Sequence, residues 1–407
     1  MKMQLTIVQQ AVLSLLKRGL GISSADPKLS DLSADTWEKV YKECRAQTVQ
    51  MICYDALAAE GITLPDEVEH KWFTVAALSL SRSLNVAAAQ DELVALLEKN
   101  EVPYTILKGM SSAHYYPDSE KRCAGDIDFL VSPEYIEKAT KLLTDNGYAL
   151  EDKPNENHLA LHKNDVWLEL HHSVAGMPDG SSGELLRSQL KGIIENSVMD
   201  DRGFRRPSDM HHGIVILLHT LHHLLSSGLG LRHLCDWACF VKETEEKSFW
   251  KEELLPLLER AGLKKTTFII TEACVKYLAL PRPCWLPDAE PDGVDDFMNE
   301  LLRGGNFGRK DLQLSGTGMM LTKNSEEQNA KTKIKRMLYA LNSTNHRVYP
   351  ILDRLPWLYP FIMVWRMMRY IVLMLLGKRQ SLLKASRYTD ERSKLFKKFD
   401  LYKTDGE

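Results

Sequence analysis

Apolar side chains recur at intervals of three and four along the first hundred residues, which is the period of a helix with one buried face. The positions that carry this pattern are Ile7, Val12, Leu15, Leu16, Leu57, Leu78, Leu84, Val86, Leu93, Val94 and Leu97. The pattern therefore predicts a helical N-terminal region.

The period changes at residue 102, where the chain reads VPYTILKG (102–109). This stretch is short, contains β-branched residues and is closed by Gly109, which is typical of a buried strand that turns into a helix. Further strands are predicted over 126–131 (DIDFLV), around 158–162 and over 166–174 (VWLELHHSV). A helix at about 133–146 and the turn Asn146-Gly147 separate the second strand from the third.

Beyond Pro207 the pattern is helical again, with helices predicted over 213–225, 231–241 and 251–279. Four prolines then interrupt it, at positions 281, 283, 287 and 291. A short segment, GGNFGRK (304–310), precedes a polar stretch, 322–332, that is typical of a linker. Together these elements predict an α+β fold in which a small mixed β-sheet core is embedded in a mostly α-helical protein.

A chain of 407 residues is too long for one ordinary compact core, so we expect more than one domain. The predicted regions are a helical N-terminal region (1–95), the core that contains the sheet (96–205), a helical domain (206–325) and a basic, amphipathic helical C-terminal region (326–407).

The composition excludes two classes of protein. Hydrophobic residues make up 44% and charged residues 26% of the chain, ordinary values that argue against wholesale disorder and against a membrane protein with many spans. The formal net charge is -3, yet residues 331–404 contain 17 Lys or Arg against 4 Asp or Glu. This basic end favours an anionic partner.

The seven cysteines are odd in number and scattered, and the first residues, MKMQLTIVQQ, lack the apolar run of a secretory signal. We therefore expect a reducing, cytoplasmic location. Cys235 and Cys239 are one helical turn apart, but no second Cys/His pair stands near them at finger-like spacing. We interpret them as small buried residues and not as zinc ligands.

Three acidic residues lie on the predicted strands. Asp126 and Asp128 flank Ile127, so their side chains leave the same face of the strand, close enough to share one or two divalent cations. Glu169 lies between two leucines of a later strand, where a lone carboxylate is costly unless it faces a metal or a cleft. Three acids on neighbouring strands form a two-metal arrangement for in-line phosphoryl transfer.

Candidate phosphate ligands surround the end of the first strand. Gly109 allows the backbone to approach phosphates closely, and Ser111 and Ser112 follow at a predicted helix N-terminus with free N–H donors. Lys108 and Arg122 add positive charge on either side of this turn. Together these groups can neutralise a triphosphate.

These residues resemble the uncharacterised nucleotidyltransferases found in bacterial polysaccharide and peptide-modification clusters, which are members of the DNA polymerase β-like superfamily. The resemblance rests on LKG (107–109), YYP (115–117), Arg122, GDIDFLV (125–131) and WLELHHS (167–173). Two further segments, LHTLHHLLSSGLGLRHLCDWA (218–238) and GGNFG (304–308), resemble the helical part of this family. The similarity thus extends from about residue 80 to 310.

The resemblance implies a mixed sheet covered by helices, a Gly/Ser turn on the triphosphate, and a metal-binding carboxylate pair with a third acid nearby. By the motif match, Gly109 and Ser111 fall at the turn, Asp126 and Asp128 at the pair, and Glu169 at the third acid. The wider superfamily has Gly-Gly or Gly-Ser at the turn, whereas this chain reads KGMS there. That departure affects the residues expected to bind the triphosphate.

Simpler interpretations stand beside these. Paired acids often only cap turns or solvate strand ends. Lys108 is equally consistent with a solvated lysine at a strand end, and Arg122 with an ion pair to an acid of the 118–120 segment. Arg232 and Asp236 are four residues apart, which is typical of an ion pair that stabilises a helix.

The predicted helices also carry several histidines. His219 and His223 are one turn apart, His212 lies two turns before His219, and His233 follows the next Gly-rich turn, a spacing that can ligate zinc. Histidines packed under a cleft or bonded to backbone are the alternative. His171 and His223 are further candidates for lining a pocket for the acceptor.

The segment 355–377 has the length of a membrane span, but Arg366 and Arg369 lie near its middle, where a charge is expensive in hydrocarbon. We therefore do not expect it to span. Its aromatic residues and basic flanks suit a helix lying on an anionic membrane surface, with 331–407 as the contact; a core helix is the alternative. No aromatic-basic RNA motif accompanies the basic end, so no sequence-specific nucleic acid partner is expected.

The sequence thus predicts a nucleotidyltransferase that moves an NMP from an NTP to an unidentified acceptor hydroxyl and releases pyrophosphate, with two Mg²⁺ ions on the three acids. We expect it in the cytoplasm, or peripheral at the inner face of the membrane. A phosphotransferase using the same carboxylates is one alternative. A non-catalytic nucleotide-binding or scaffold subunit of a polysaccharide assembly system is another, although the presence of all three acids argues against it.

Overall fold

The computed structural model describes residues 3–151, 158–178, 180–226, 228–310, 349, 351–375, 392 and 395–401. The predicted linker and much of the basic C-terminal region lie outside these residues.

The N-terminal region is helical, as predicted. Its helices are α1 (Ile7–Gly19), α2 (Ala34–Gln47), α3 (Gln50–Ala59) and α4 (Asp66–Lys99). Local sequence sets where the first two begin. The Thr6 hydroxyl accepts a hydrogen bond from the backbone N–H of Gln9, and the Gln9 side chain accepts one in return from Thr6, which forms a capping box. Ser33 caps α2 through the N–H of Thr36.

A small mixed sheet follows, which confirms the predicted α+β class. Its five strands are β1 (Tyr104–Ile106), β2 (Ile127–Val131), β3 (Ala149–Leu150), β4 (His158–Lys163) and β5 (Val166–His171). They lie side by side in the order β1-β2-β5-β4-β3. β2 and β5 run parallel, and the other neighbouring strands run antiparallel. The parallel pair at the centre is the part of the sheet that carries the acidic residues.

Shorter elements surround the sheet. They are helices α5 (Met110–Ala113), α6 (Ile136–Asp145) and α7 (Gly180–Leu190), and the two-residue strands β6 (Val198–Met199) and β7 (Arg205–Arg206), which pair with each other. The sequence analysis did not anticipate α7, β3, β6 or β7.

Strand alternation gives the sheet two chemically different faces. Apolar side chains such as Phe129 and Leu168 project from one face into a core that they share with the second half of α4 and with α6. The intervening positions, among them Asp128, Glu169 and His171, therefore project from the opposite face. The acidic positions are thus turned away from this core, although Leu130 on their face packs into the core of the helical regions.

A second group of helices follows the sheet: α8 (Asp209–Leu225), α9 (Leu231–Thr244), α10 (Leu255–Arg260), α11 (Lys264–Leu278) and α12 (Val294–Gly304). The prediction of one continuous helix over 251–279 is wrong. A π-helical turn (Trp250–Leu254) precedes α10, and Gly262, at φ +66°, lies in the break before α11. Glycine adopts this left-handed conformation without the steric cost that other residues carry.

Side chains of α1–α3 and of α8–α12 belong to one continuous apolar core. Cys235 and Cys239 are fully buried in it with no disulfide, as predicted. The predicted region boundary at residue 95 falls inside α4, whose Trp72 packs in this core and whose Leu93 packs under the sheet. This one long helix thus joins the two cores.

The C-terminal region contributes α13 (Ile351–Arg354) and α14 (Tyr359–Leu375). Every α14 side chain that the structure describes is exposed or half-buried, and Phe361 is 67% exposed. Within the described part of the chain, no helix is both long enough and apolar enough to cross a bilayer.

Candidate active site

Three carboxylates meet on the polar face of the sheet. Asp128 on β2 lies directly opposite Glu169 on the parallel strand β5. Asp126 immediately precedes β2 and stands two residues from Asp128, on the same side of the strand. One oxygen of each carboxylate lies within 4.8 Å of the others. The structure therefore brings together the three acids that the sequence singled out.

The cluster has a closed end and an open end. Asp128 is buried, with 3% of its surface exposed, Glu169 is half-buried, and Asp126 is exposed to solvent. Desolvation by the surrounding protein, followed by the negative charge of Asp128, raises the pKa of Asp126 above its ordinary value. A ligand would approach past Asp126 and meet Asp128 at the closed end.

Lys108 lies at the closed end. Its Nζ is 2.7 Å from Asp128 Oδ1, and the side chain is 14% exposed, so the interpretation as a solvated lysine at a strand end is wrong. Burial alone would lower the pKa of Lys108, but Asp128, Asp126 and Glu169 outweigh that effect and raise it. Lys108 is therefore charged at neutral pH and sits where it partly balances the three acids.

His171 is the second group on the acids. Its Nε2 lies 3.0 Å from Asp128 Oδ1 and 3.3 Å from Glu169 Oε2, and the ring is buried. Burial would lower the pKa of His171, but these two carboxylates raise it overall. In turn, burial would raise the pKa of Asp128, yet Lys108 and His171 hold it well below its ordinary value.

The sequence suggested that His171 lines an acceptor pocket, and the structure instead shows it within the carboxylate cluster. His158 on the neighbouring strand β4 lies beside it, with Nδ1 3.5 Å from Glu169 Oε2 and its ring centroid 4.9 Å from that of His171. No local pattern singled out His158 as a site residue, because only the pairing of β4 with β5 places His158 opposite His171.

The turn after β1 has the backbone geometry that its glycine suggested. Gly109 adopts φ +65° and lies directly before α5. Ser111 donates a hydrogen bond from its hydroxyl to the carbonyl of Ile106 at 2.5 Å, and the Ser112 hydroxyl lies 3.4 Å from His212 Nε2. Both serines are buried. Their hydroxyls thus make contacts inside the protein, which leaves the backbone of the turn as the part that can contact a ligand.

Arg122 connects this turn to the helical body. Its Nε and Nη2 donate to the two carboxylate oxygens of Asp236 at 2.7 and 2.8 Å, and its Nη1 donates to the carbonyl of Gly109 at 3.0 Å. The prediction that Arg122 pairs with an acid of the 118–120 segment is wrong. The suggested Arg232–Asp236 pair is also replaced, because Asp236 accepts from Arg122 and, at 2.7 Å, from the Tyr116 hydroxyl.

A cavity of about 220 Å³ adjoins the turn, between α4 and the segments that carry Met110 and Arg122. Arg202 lines it as well, donates to the Met110 carbonyl at 2.8 Å and holds its guanidinium 5.2 Å from the ring centroid of Phe204. Sequence reasoning missed Arg202; the only available signal was the basic run RGFRR (202–206).

The other predicted histidines lie on α8 and α9. His223, predicted for the acceptor pocket, groups with His219 and His233, whereas His212 stacks on Tyr115 at a centroid distance of 5.0 Å. Lys108 links the carboxylate cluster to the group of His219, His223 and His233, because its Nζ lies 3.3 Å from His219 Nδ1. The carboxylates and the three histidines are thus neighbouring parts of one polar region.

Comparison with known proteins identifies the family of the chain. The model of a family described as "Uncharacterised nucleotidyltransferase" matches residues 33–279, which is 247 of the 407 residues. The match contains the three acids and the Gly109 turn; it begins before residue 80 and ends before the segment 304–308, which the sequence analysis had included. No curated protein and no solved structure matches the chain. Since more than half of its length is matched, the chain belongs to this family of uncharacterised nucleotidyltransferases.

Proposed function

We propose that this protein transfers a nucleoside monophosphate from an NTP to an acceptor hydroxyl and releases pyrophosphate. The observation that carries the proposal is the carboxylate cluster: oxygens of Asp126, Asp128 and Glu169 lie within 4.8 Å of one another on one face of the sheet. It stands beside a glycine turn whose backbone can approach phosphates closely.

The residues of the cluster fit divalent cations of the magnesium class. All three offer carboxylate oxygens, which are the ligands that such hard cations take. Lys108 and His171 both contact Asp128 Oδ1, so they balance part of the negative charge of the cluster. We propose that Asp126 and Asp128 hold two Mg²⁺ ions and that Glu169 completes the second site.

When bound, these cations neutralise the phosphate oxygens and make the acceptor hydroxyl more acidic. The acceptor oxygen forms a bond to the α-phosphorus of the NTP while the bond from that phosphorus to the bridging oxygen of the β-phosphate breaks. Pyrophosphate leaves with the electron pair of the broken bond. The half-buried Glu169 carboxylate is positioned to receive the hydroxyl proton and to pass it to solvent.

The chain's own cations hold the triphosphate in this proposal. Lys108 contacts Asp128 through one flexible side chain, so its Nζ can turn toward the β- and γ-phosphates when they arrive. Arg122 was expected to neutralise the triphosphate, and this proposal gives it another role. Because its guanidinium is occupied by Asp236 and by the Gly109 carbonyl, it positions the turn. Backbone N–H groups of the Gly109 turn then face the phosphates.

The test determines which phosphorus of the NTP is transferred to the acceptor. The full-length protein is incubated with Mg²⁺, a mixture of hydroxyl-bearing sugars, alcohols and peptides, and NTP labelled at either the α- or the γ-phosphorus. The proposal expects α-label on an acceptor together with pyrophosphate, and loss of both in Asp128→Asn. A matched control is Asp165→Asn, which removes an exposed acid in the loop between β4 and β5 and should keep the activity.

Two other results would each overturn the proposal. Label arriving only from the γ-phosphorus would show a phosphotransferase that uses the same carboxylates. Metal-dependent NTP binding without transfer to any acceptor class offered would instead support a non-catalytic nucleotide-binding or scaffold subunit.

We also propose that α14 brings the enzyme to an anionic membrane surface. Large apolar side chains lie exposed along and just before this helix: Trp357, Phe361, Val364, Trp365, Met368 and Val372. Arg366 and Arg369 lie on the same helix, and Arg369 holds its guanidinium 5.5 Å from the ring centroid of Trp365. Exposed aromatic residues with cations beside them suit the boundary between lipid headgroups and acyl chains.

A further inference from the structure

Three histidines form a compact group next to the carboxylate cluster. His219 and His223 lie one turn apart on α8, and His233 lies in the first turn of α9. Their ring centroids are 4.4 Å apart for His219 and His223, and 5.2 and 5.0 Å from each of these to His233. One ring nitrogen of each residue lies within 4.8 Å of the others. Three nitrogen donors from two helices therefore converge on one point.

His233 is the observation that points to a ligand. It is only 2% exposed, and neither of its ring nitrogens makes a hydrogen bond with any described atom. Burial lowers the pKa of His233, and the Gly230 carbonyl opposes that effect without reversing it. A buried donor or acceptor without a partner is destabilising, so native proteins rarely leave one in place without a purpose.

The surroundings of the three rings favour the neutral form of imidazole. Burial, followed by the charges of Lys108, Arg232 and the neighbouring histidines, lowers the pKa of His219, His223 and His233 well below the ordinary value for histidine. A neutral imidazole has a lone pair to give to a metal ion, whereas a protonated one has none.

Two cationic side chains, Lys108 and Arg232, lie beside the group, and each has partners of its own. Lys108 lies 3.3 Å from His219, but its ammonium is paired with the Asp128 carboxylate at 2.7 Å. The Arg232 guanidinium is turned toward the Cys123 carbonyl and the ring of Phe307. The acids that balance Lys108 therefore also reduce the net charge next to the histidines.

The segment GGNFG (304–308) covers the group. The ring of Phe307 packs edge-on against His223 at a centroid distance of 4.9 Å. Phe307 adopts φ +55°, which is uncommon for a bulky residue and is held only where the surrounding structure requires it. This segment had no role in the carboxylate site, and here its Phe307 ring lies against His223 and His233.

We propose that His219, His223 and His233 bind a divalent cation of the zinc class, separate from the oxygen-ligated magnesium positions. Zinc, cobalt(II) and related ions prefer imidazole nitrogen, whereas magnesium prefers oxygen. A zinc–nitrogen bond is roughly 2.0–2.1 Å, so the three nitrogens would close to about 3.3 Å apart by side-chain rotation. Three protein ligands leave the fourth tetrahedral position for water or for an oxygen of the acceptor.

The test uses cobalt(II) as the probe, because a tetrahedral cobalt site absorbs visible light strongly and an octahedral one does not. Cobalt is titrated into the metal-free full-length protein, and the bound metal is counted after gel filtration. We expect one equivalent with a tetrahedral spectrum, displaced by zinc. In His219→Gln/His223→Gln, which changes two half-buried side chains, the affinity should fall at least about a hundredfold.

Two controls keep this test independent of nucleotide transfer. His222→Gln changes the neighbouring residue on α8, which is outside the group, and should keep the cobalt spectrum. Asp126→Asn/Asp128→Asn removes two acids that balance Lys108 but none of the three proposed ligands, so it should keep the tetrahedral spectrum even where it lowers the cobalt affinity. A wild-type protein without the tetrahedral spectrum would overturn the inference. So would a spectrum that survives the double histidine change, or one that the aspartate changes abolish.

Discussion

Asp236 on α9 holds Arg122 by two hydrogen bonds, of 2.7 and 2.8 Å, although the two residues are 114 positions apart. Both side chains are buried. The third Arg122 contact, to the Gly109 carbonyl, links this pair to the turn beside the carboxylate cluster. The helical body thus fixes the conformation of a turn that belongs to the sheet core.

Breaking this pair should cost both stability and ligand binding. Asp236→Asn leaves the buried Arg122 guanidinium without its counter-charge, and losing one partner of a buried pair costs about 3–5 kcal/mol. We expect that loss in the free energy of unfolding from urea titration. The exposed pair Lys141–Asp145 provides the control, and Asp145→Asn should cost less than about 1 kcal/mol.

A double substitution separates the effect of the pair on stability from its effect on the conformation of the Gly109 turn. Arg122→Met/Asp236→Leu removes both charges, so it should recover part of the stability lost in Asp236→Asn. It should not recover NTP affinity, because the bond to the Gly109 carbonyl is still missing. Full recovery of NTP affinity would show that Arg122 does not position the turn.

The positive φ of Gly109 predicts a local effect of substitution. Gly109→Ala places a side chain in a left-handed conformation and should cost about 1–2 kcal/mol of stability. An added Cβ would meet only the Asp126 carbonyl, at 3.5 Å, so backbone strain and not a clash is the cause. We also expect weaker NTP binding, since the turn must shift to relieve the strain.

Gly125 offers the matched control for that substitution. It lies outside the left-handed region, and an added Cβ would meet nothing within 4 Å. Gly125→Ala should therefore leave both stability and NTP affinity close to wild type. Equal effects of the two substitutions would contradict the special role of the Gly109 turn.

Substitution of Lys108 should change the affinity for metal and the affinity for nucleotide in different directions. In Lys108→Met the carboxylate of Asp128 loses its 2.7 Å partner, so Mn²⁺ alone, measured by electron paramagnetic resonance, should bind at least as tightly as in wild type. The NTP, which loses a charge-assisted contact, should bind about 10–100-fold more weakly. A parallel loss of Mn²⁺ binding would mean that Lys108 only holds Asp128 in place. Lys163→Met, which removes a lysine paired with Glu92, is the control.

Asp209 should make stability depend on acid pH. Burial would raise its pKa, but Lys247, Tyr115 and Arg206 lower it from 3.8 to about 2. Because the folded-state pKa is the lower one, this contribution is present above pH 3.8 and is lost as the pH falls toward 2. We expect Asp209→Asn to lose about 2 kcal/mol of that stability at pH 7 and roughly half as much at pH 3, measured by urea unfolding. A penalty that does not change with pH would contradict the assignment.

Membrane binding by α14 is testable on the full chain. Trp357→Ser/Phe361→Ser changes two side chains that are 64% and 67% exposed, so the fold should be unaffected. We expect wild-type protein to co-sediment with vesicles containing phosphatidylserine at low salt, less so at high salt, and the variant to bind markedly less. Unchanged binding of the variant would exclude this surface.

Strand periodicity made the carboxylate cluster predictable. Asp126 and Asp128 had to share a face because side chains alternate along a strand, and Glu169 fell on the same face once β5 lay parallel to β2. The glycine turn was predictable for a similar local reason, since a glycine at the end of a strand marks a special backbone conformation.

Contacts that depend on tertiary packing were not predictable in the same way. The partner of Arg122 is 114 residues away, so the sequence offered only its neighbours in the 118–120 segment. His171 was recognised as a polar residue near Glu169, but its contact with Asp128 arises from the pairing of two separate strands. The break at Gly262 interrupts an apolar pattern that continues on both sides of it.

The most direct test of the central claim is isothermal titration of each of the four NTPs, with and without Mg²⁺, into wild-type protein and Asp126→Asn/Asp128→Asn. The account predicts that at least one NTP binds wild type only with Mg²⁺ and that the double variant, shown to be folded by circular dichroism, does not bind it. If folded wild-type protein binds no NTP, or if the variant binds as tightly as wild type, these carboxylates do not form a nucleotide site.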